Sequence, residues 1–147
     1  MNREIKFRIW ADNKFYNKCL VGNTNNTNDE KWTCPMVWLE KQKEWVHCDN
    51  GIICQYTGLK DKNGKEIYEG DVVLLTCYNY EEPVFGGKFK VIYDDINGMW
   101  LLVDLENKDR GFAFGEIRSY YKAEFEVIGN VFEKGILLND SEKSKKN

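Results

Sequence analysis

The sequence predicts a mainly β protein, a small barrel or sandwich, on three observations. Apolar and polar residues alternate in short runs: Ile5, Phe7 and Ile9 against Lys6, Arg8 and Trp10, and later Phe89, Val91 and Tyr93 against Lys88, Lys90 and Ile92. That two-residue period belongs to a half-buried strand. Turn pairs recur between the runs, at Asn50-Gly51, Asn63-Gly64 and Asn97-Gly98. Asn-Gly is the strongest short-range mark of a two-residue hairpin, because both residues tolerate positive φ. Finally, Glu69-Gly70-Asp71 leads into the unbroken apolar run Val72-Val73-Leu74-Leu75, the pattern of a strand buried on both faces.

Taken in order, the first strand covers Ile5 to Ile9, Ala11-Asp12-Asn13-Lys14 turns, and Phe15 to Val21 returns. Residues 22–29 (GNTNNTND) are polar turn formers with no core-facing side chain and read as a loop. Met36 to Cys48 has apolar ends around the charged centre Glu40-Lys41-Gln42-Lys43-Glu44. A helix would put Trp38 and Trp45 on one face, whereas a hairpin would pair the two ends; Trp and Val favour strands, so the hairpin is preferred. Ile52 to Tyr56 is a further short strand. Val72 to Cys77 is the buried strand, and residues 78–87, with Pro83 and Gly86-Gly87, read as a loop. Met99 to Leu105 answers the strand before Asn97-Gly98, and Phe112 and Phe114 alternate once more. Glu116 to Lys122 fits a single helical turn, and Phe125 to Phe132 a closing strand bent at Gly129-Asn130.

Strands at this spacing divide the chain into an N-terminal, hairpin-rich, Trp-rich subdomain (residues 1–54), a C-terminal SH3-like β-barrel (residues 55–138) and a tail (residues 139–147). The barrel itself would run from about Leu59 to Phe132. The tail, NDSEKSKKN, is charged and free of apolar residues and is expected to be disordered. A chain of 147 residues suits one domain or two small ones, and 42% apolar content supplies a core without disulfides or metals.

Charge and cysteine usage narrow the function classes. A net charge of −3, with only four Arg among 21 basic residues, argues against a general polyanion binder. No stretch approaches the roughly 20 apolar residues of a membrane span. The N-terminus lacks a signal-peptide apolar block, which together with five unpaired cysteines points to the cytoplasm.

Catalytic constellations are not evident, and no cofactor is expected. Cys34, His47, Cys48 and Cys54 are four potential metal ligands, but a zinc site needs closely paired ligands off one turn, and His47 and Cys48 as strand neighbours point to opposite faces. Buried thiols are the simpler reading. His47 is the only histidine available to activate a nucleophilic cysteine, and its neighbour Cys48 is out of its reach. The acidic groups Glu81-Glu82, Asp94-Asp95 and Glu66/Glu69/Asp71 fall in turns, where carboxylates are solvated or bond local backbone. Asp61, Asn63 and Gly64 lack the ligand ladder and closing Glu of a calcium loop, and Gly86-Gly87-Lys88 lacks the hydroxyl of a phosphate loop.

The stretch Gln55 to Val73 (QYTGLKDKNGKEIYEGDVV) resembles the signature of the YopX family of phage and prophage proteins. The opening Arg3-Glu4-Ile5-Lys6-Phe7-Arg8-Ile9-Trp10 is similar to that family's start, and Phe125-Glu126-Val127-Ile128-Gly129-Asn130-Val131-Phe132-Glu133 to its end. The resemblance spans nearly the whole chain. It implies a small, mainly β protein of mobile elements in a bacterial host, and carries no catalytic residues with it.

Binding is therefore the expected function, and two surfaces qualify. Trp10, Trp38 and Trp45 lie in a segment with little core of its own, and Trp is enriched at interfaces; with exposed strand edges, they point to a homo-oligomer or to docking on a host or phage protein. The alternative is nucleic acid, tracked by Lys60, Lys62, Lys65, Lys88 and Lys90 and stacked on Tyr68.

Overall fold

A computed structural model describes residues 4–25 and 31–133. The chain divides into two compact units, with the boundary at Tyr56/Thr57. The expected tail lies outside the described residues. Among the described residues the pairings β1–β2, β1–β6, β3–β4, β4–β5, β8–β9, β9–β10, β10–β11 and β8–β12 are antiparallel.

The first unit holds β1 (Phe7–Ala11), β2 (Lys14–Tyr16), β3 (Cys19–Asn25), β4 (Lys31–Leu39), β5 (Glu44–His47) and the start of β6 (Ile52–Lys60). β1 turns into β2 through Asp12 and Asn13, whose φ values of 53° and 61° are those of a type I′ hairpin. On its other side β1 pairs with β6, Ile9 opposite Ile53. β3, β4 and β5 form a separate three-stranded sheet. The segment from Met36 to Cys48 is thus the preferred hairpin, with Val37 opposite Val46 and Trp38 opposite Trp45. Its turn closes by the Lys43 N–H donating to the Leu39 carbonyl at 2.8 Å, with Lys43 at φ 56°.

The expected loop at 22–29 needs correction. β3 continues through Asn25, with Gly22 opposite Cys34 and Asn23 opposite Thr33; residues 26–30 lie outside the description. Backbone pairing to β4 supplies what the polar side chains cannot, so hydropathy alone misses this half of the strand.

The second unit continues β6 from Thr57 and adds β7 (Glu66–Tyr68), β8 (Asp71–Asn79), β9 (Glu82–Asp94), β10 (Met99–Asp104), β11 (Gly111–Ala113), α1 (Phe114–Tyr120) and β12 (Lys122–Asn130). Five of these strands form one sheet in the order β11-β10-β9-β8-β12. Its inner face, Val73, Leu75 and Cys77 on β8, Phe89 and Val91 on β9, Leu102 on β10 and Phe125 on β12, packs with Ile67 and with Phe114 and Ile117 of α1 into one buried core. The helix is short and has no side-chain cap; burying Phe114 and Ile117, three residues apart on one face, is what holds it.

An SH3-like closed barrel is not shown. β11 and β12 are the two edges of the sheet. The backbone of β12 is also engaged by the 61–62 segment, because the Lys62 N–H donates to the Phe125 carbonyl at 2.8 Å and the Val127 N–H donates to Asp61 Oδ2 at 2.9 Å. What stands is a mainly β fold of three antiparallel sheets.

The expected loop over residues 78–87 is also corrected. β8 and β9 are joined by Tyr80 and Glu81 alone, with Asn79 opposite Glu82 and Tyr80 at φ 57°. Pro83 sits opposite Tyr78, next to the register shift between Cys77 and Tyr78, where a strand tolerates a missing N–H. At Gly86 a Cβ would stand 2.4 Å from the Leu75 carbonyl oxygen, so the glycine permits close backbone approach instead of breaking the strand. Helix α1 likewise starts earlier than the sequence implied, taking Phe114 out of the strand pattern.

Candidate functional site: an aromatic, lysine-bearing groove

The first unit exhibits most of its aromatic chemistry at half-buried positions. Directly opposed residues on adjacent strands share one sheet face, which is why β4 and β5 bring the Trp38 and Trp45 rings to 5.4 Å in an edge-to-face pair. Trp45 remains 36% exposed. Lys18 joins them, its Nζ 4.0 Å from the Trp38 ring centre and 5.9 Å from that of Trp45. The segment after β2 is fixed there by the Trp38 N–H donating to the Lys18 carbonyl at 3.0 Å.

Glu40 anchors the turn side of this cluster. Its carboxylate accepts from the Trp38 indole Nε1–H at 2.7 Å and from the Lys43 ammonium. The Lys43 hydrogen bond first, then that of Trp38, hold its carboxyl below the usual carboxylate range. A groove of about 570 Å³ runs between this hairpin and β2, lined by Lys14, Phe15, Lys18, Trp38, Glu40 and Lys41 among others. Trp10 reaches the same wall indirectly: its ring lies 4.8 Å from Phe15, edge-to-face, and the Arg8 guanidinium covers Phe15 at 3.6 Å. The three tryptophans proposed from sequence therefore fall in one unit, two in direct contact and the third joined to the groove through Phe15.

The lysine set of the second unit is less coherent. Lys60, Lys62, Lys65 and Lys88 are exposed and Lys90 is half-buried. Lys62 Nζ lies 3.5 Å from Glu126, which offsets its charge. Tyr68 does not belong to this surface: it is 7% exposed, on a strand whose backbone N–H donates to the buried Asp71 carboxylate at 2.8 Å. On β9, Lys88 and Lys90 alternate with buried Phe89 and Val91, so they point away from the core side on which Tyr93 meets Trp100 at 5.0 Å.

Asp61, weighed in the sequence only as a calcium-loop residue, proves structural. It is 8% exposed, and its carboxylate accepts N–H bonds from Asn63 at 2.8 Å, Lys65 at 2.9 Å and Val127 at 2.9 Å. Burial alone would raise its pKa; the three backbone bonds and the nearby Lys65 charge outweigh that and hold it below the usual carboxylate range. Asp61 also pairs with Lys65 through backbone, N–H to carbonyl at 2.7 Å, leaving three residues in the turn with Gly64 at φ 81°. Asn63-Gly64 is consequently a three-residue hairpin loop, not the two-residue type, because the aspartate side chain sets the geometry.

Burial pushes the Cys19, Cys48 and Cys77 thiols up, with Asp12 and Asp49 adding to the effect at Cys48. Higher thiol pKa means less thiolate at neutral pH, the opposite of an activated nucleophile. His47 is exposed on edge strand β5. Among the described residues, no three His, Cys, Asp or Glu side chains gather as metal ligands.

Lys18 and Tyr80 are the features that sequence reading missed. Lys18 carries no motif, and only the turn between β2 and β3 brings it over two rings from β4 and β5. Tyr80 stands 92% exposed at positive φ, an arrangement uncommon for a bulky residue; its only sequence signal is an aromatic beside two glutamates.

These features define a class: an antiparallel β protein of two units that displays aromatic rings and lysines. The family described as YopX protein matches residues 6–139, and the chain belongs to that family. Two solved structures are similar in fold. The crystal structure of yopX from Bacillus subtilis shares 20% identity at a TM-score of 0.56, covering 90% of this chain and 97% of its own. Protein EF1440 from Enterococcus faecalis shares 20% identity at a TM-score of 0.51, covering 94% of this chain and 100% of its own. No curated protein matches. Among the described residues no helix is long and apolar enough to cross a membrane.

Proposed function

We propose that this chain is a non-enzymatic phage or prophage accessory protein that acts in the cytoplasm of a bacterial host by self-assembly and by contact with another host or phage protein. The observation that carries this reading is the Trp38–Trp45 pair, rings 5.4 Å apart under the Lys18 ammonium at the edge of a groove of about 570 Å³. Tryptophan pairs that remain partly exposed offer a large rigid contact area at low entropy cost, the character of interface hot spots. Family membership supports the phage setting and leaves the activity open. Sedimentation of the full chain tests the reading. Self-association at micromolar concentration that weakens in Trp38→Ala/Trp45→Ala, with circular dichroism unchanged, supports it. A wild-type monomer at high micromolar concentration that retains no protein partner through this face overturns it.

Nucleic-acid binding through Lys60, Lys62, Lys65, Lys88 and Lys90 stands second. Exposed lysines favour it, while the loss of the Tyr68 ring and the neutralising Glu126 count against it. Salt-sensitive oligonucleotide binding at low ionic strength would restore it.

A further inference from the structure

The groove of the first unit and the β8–β9 hairpin tip of the second carry opposite charge and matching apolar character. The groove wall presents Lys14, Lys18 and Lys41 against one acid, Glu40, and that acid is engaged by Lys43 and Trp38. Three lysines less one glutamate leave a local excess of two positive charges in a chain whose net charge is −3. The hairpin tip Asn79-Tyr80-Glu81-Glu82-Pro83-Val84 carries two glutamates and no base. Tyr80 is 92% and Val84 52% exposed, beside those acids. Its turn is only two residues long and Tyr80 is held at φ 57°, a conformation that costs a non-glycine residue energy and tends to persist at binding and switching sites.

We propose that the groove receives a second copy of this chain, with the Tyr80-Glu81-Glu82 tip of one molecule entering the Lys14/Lys18/Lys41 groove of the next. Tyr80 supplies the ring that packs against Trp38 and Phe15, Glu81 and Glu82 meet the lysines, and Val84 covers the rim. A rigid two-residue turn enters with little ordering cost, which is how a small contact gains affinity. The charges steer the encounter and fix which surfaces meet. This mode rests on the self-assembly reading above and specifies the surfaces that carry it.

Charge reversal of the full chain tests the mode by analytical ultracentrifugation. Lys18→Glu/Lys41→Glu and Glu81→Lys/Glu82→Lys should each weaken self-association by about tenfold or more, since each variant then sets like charges face to face. An equimolar mixture should regain it, because in the mixture every groove meets a tip of opposite sign. Wild-type association should also weaken between about 0.05 and 0.5 M salt, as screening shortens from above 10 Å to well below it. Circular dichroism confirms that each variant is folded, and Tyr80→Ser, which leaves charge untouched, is a second probe expected to weaken association. If the chain associates but both reversals and Tyr80→Ser leave it unchanged, the tip-in-groove mode is overturned while self-assembly stands. A wild-type chain that remains monomeric overturns both.

Discussion

The two units are stabilised by different means. In the second, ten buried apolar side chains form one continuous core, and buried polar groups such as Asp61, Asp71 and Asn130 satisfy backbone around it. In the first, the buried apolar side chains among the described residues are Ile9, Val37, Cys54 and Tyr56, while its rings make edge-to-face and cation–π contacts nearer the surface. Both units display rings, Trp45 in the first and Tyr80, Tyr93, Tyr120 and Tyr121 in the second; what sets the first apart is that its exposed ring is paired with Trp38 beside a groove. Trp38 is half-buried and Trp45 36% exposed, within reach of a partner, and the binding proposed above is assigned to them for that reason.

Three substitutions probe the contrast, beginning with the largest effect. Phe89 is fully buried and its ring meets those of Phe85 and Phe112, so Phe89→Ala should cost about 3–5 kcal/mol and lower the denaturant midpoint of the second unit. A loss below 1 kcal/mol would mean that the core is not shared in the way described.

Asp61→Ala comes next. It leaves three backbone N–H groups without their acceptor and should cost about 1–3 kcal/mol, read by chemical denaturation. The pH dependence follows from the depressed pKa. The contribution is full above the ordinary aspartate value of about 3.9 and is lost as pH falls through the lower folded-state value. Wild type should therefore lose its advantage over Asp61→Ala in acid, and a difference constant down to pH 2 would remove the carboxylate from the account.

The smallest effect falls in the first unit. Trp45→Ala removes a 36% exposed ring and one edge-to-face contact, worth about 0.5–1.5 kcal/mol, and should change self-association far more than melting. The reverse outcome would make the tryptophan pair a core element and erase the distinction between the units.

How much of this could be read beforehand varied with the kind of signal. Strands announced by alternation or by an apolar run, Ile9 on β1 and Val72 to Leu75 on β8, were visible because their pattern is itself the imprint of burial. Residues 22–25 and 82–87 read as loops in sequence because Gly, Pro and Asn weigh against strands one by one; in place, backbone pairing and close approach at Gly86 prevail. The Asn63-Gly64 turn was legible, its length was not, since Asp61 closes it by side-chain bonds that no two-residue motif encodes. At the candidate site, the tryptophans that the sequence singles out, Trp10, Trp38 and Trp45, lie in one unit. Lys18 over Trp38 and Trp45 arises only when the segment after β2 meets β4 and β5, and the surface role that the sequence suggests for Tyr68 is denied by its burial on β7.

One carboxylate also bears on how the molecule is made. Asp61 bonds Val127 across 66 positions of sequence, so the loop near the start of the second unit receives its third donor from β12, among the described residues the last strand to leave the ribosome. Until that strand emerges, Asp61 accepts from Asn63 and Lys65 through Oδ1, while its Oδ2 lacks the Val127 amide. Synthesis halted before Val127 would release a nascent chain that can form its early hairpins but lacks this tie between the Asp61 turn and β12.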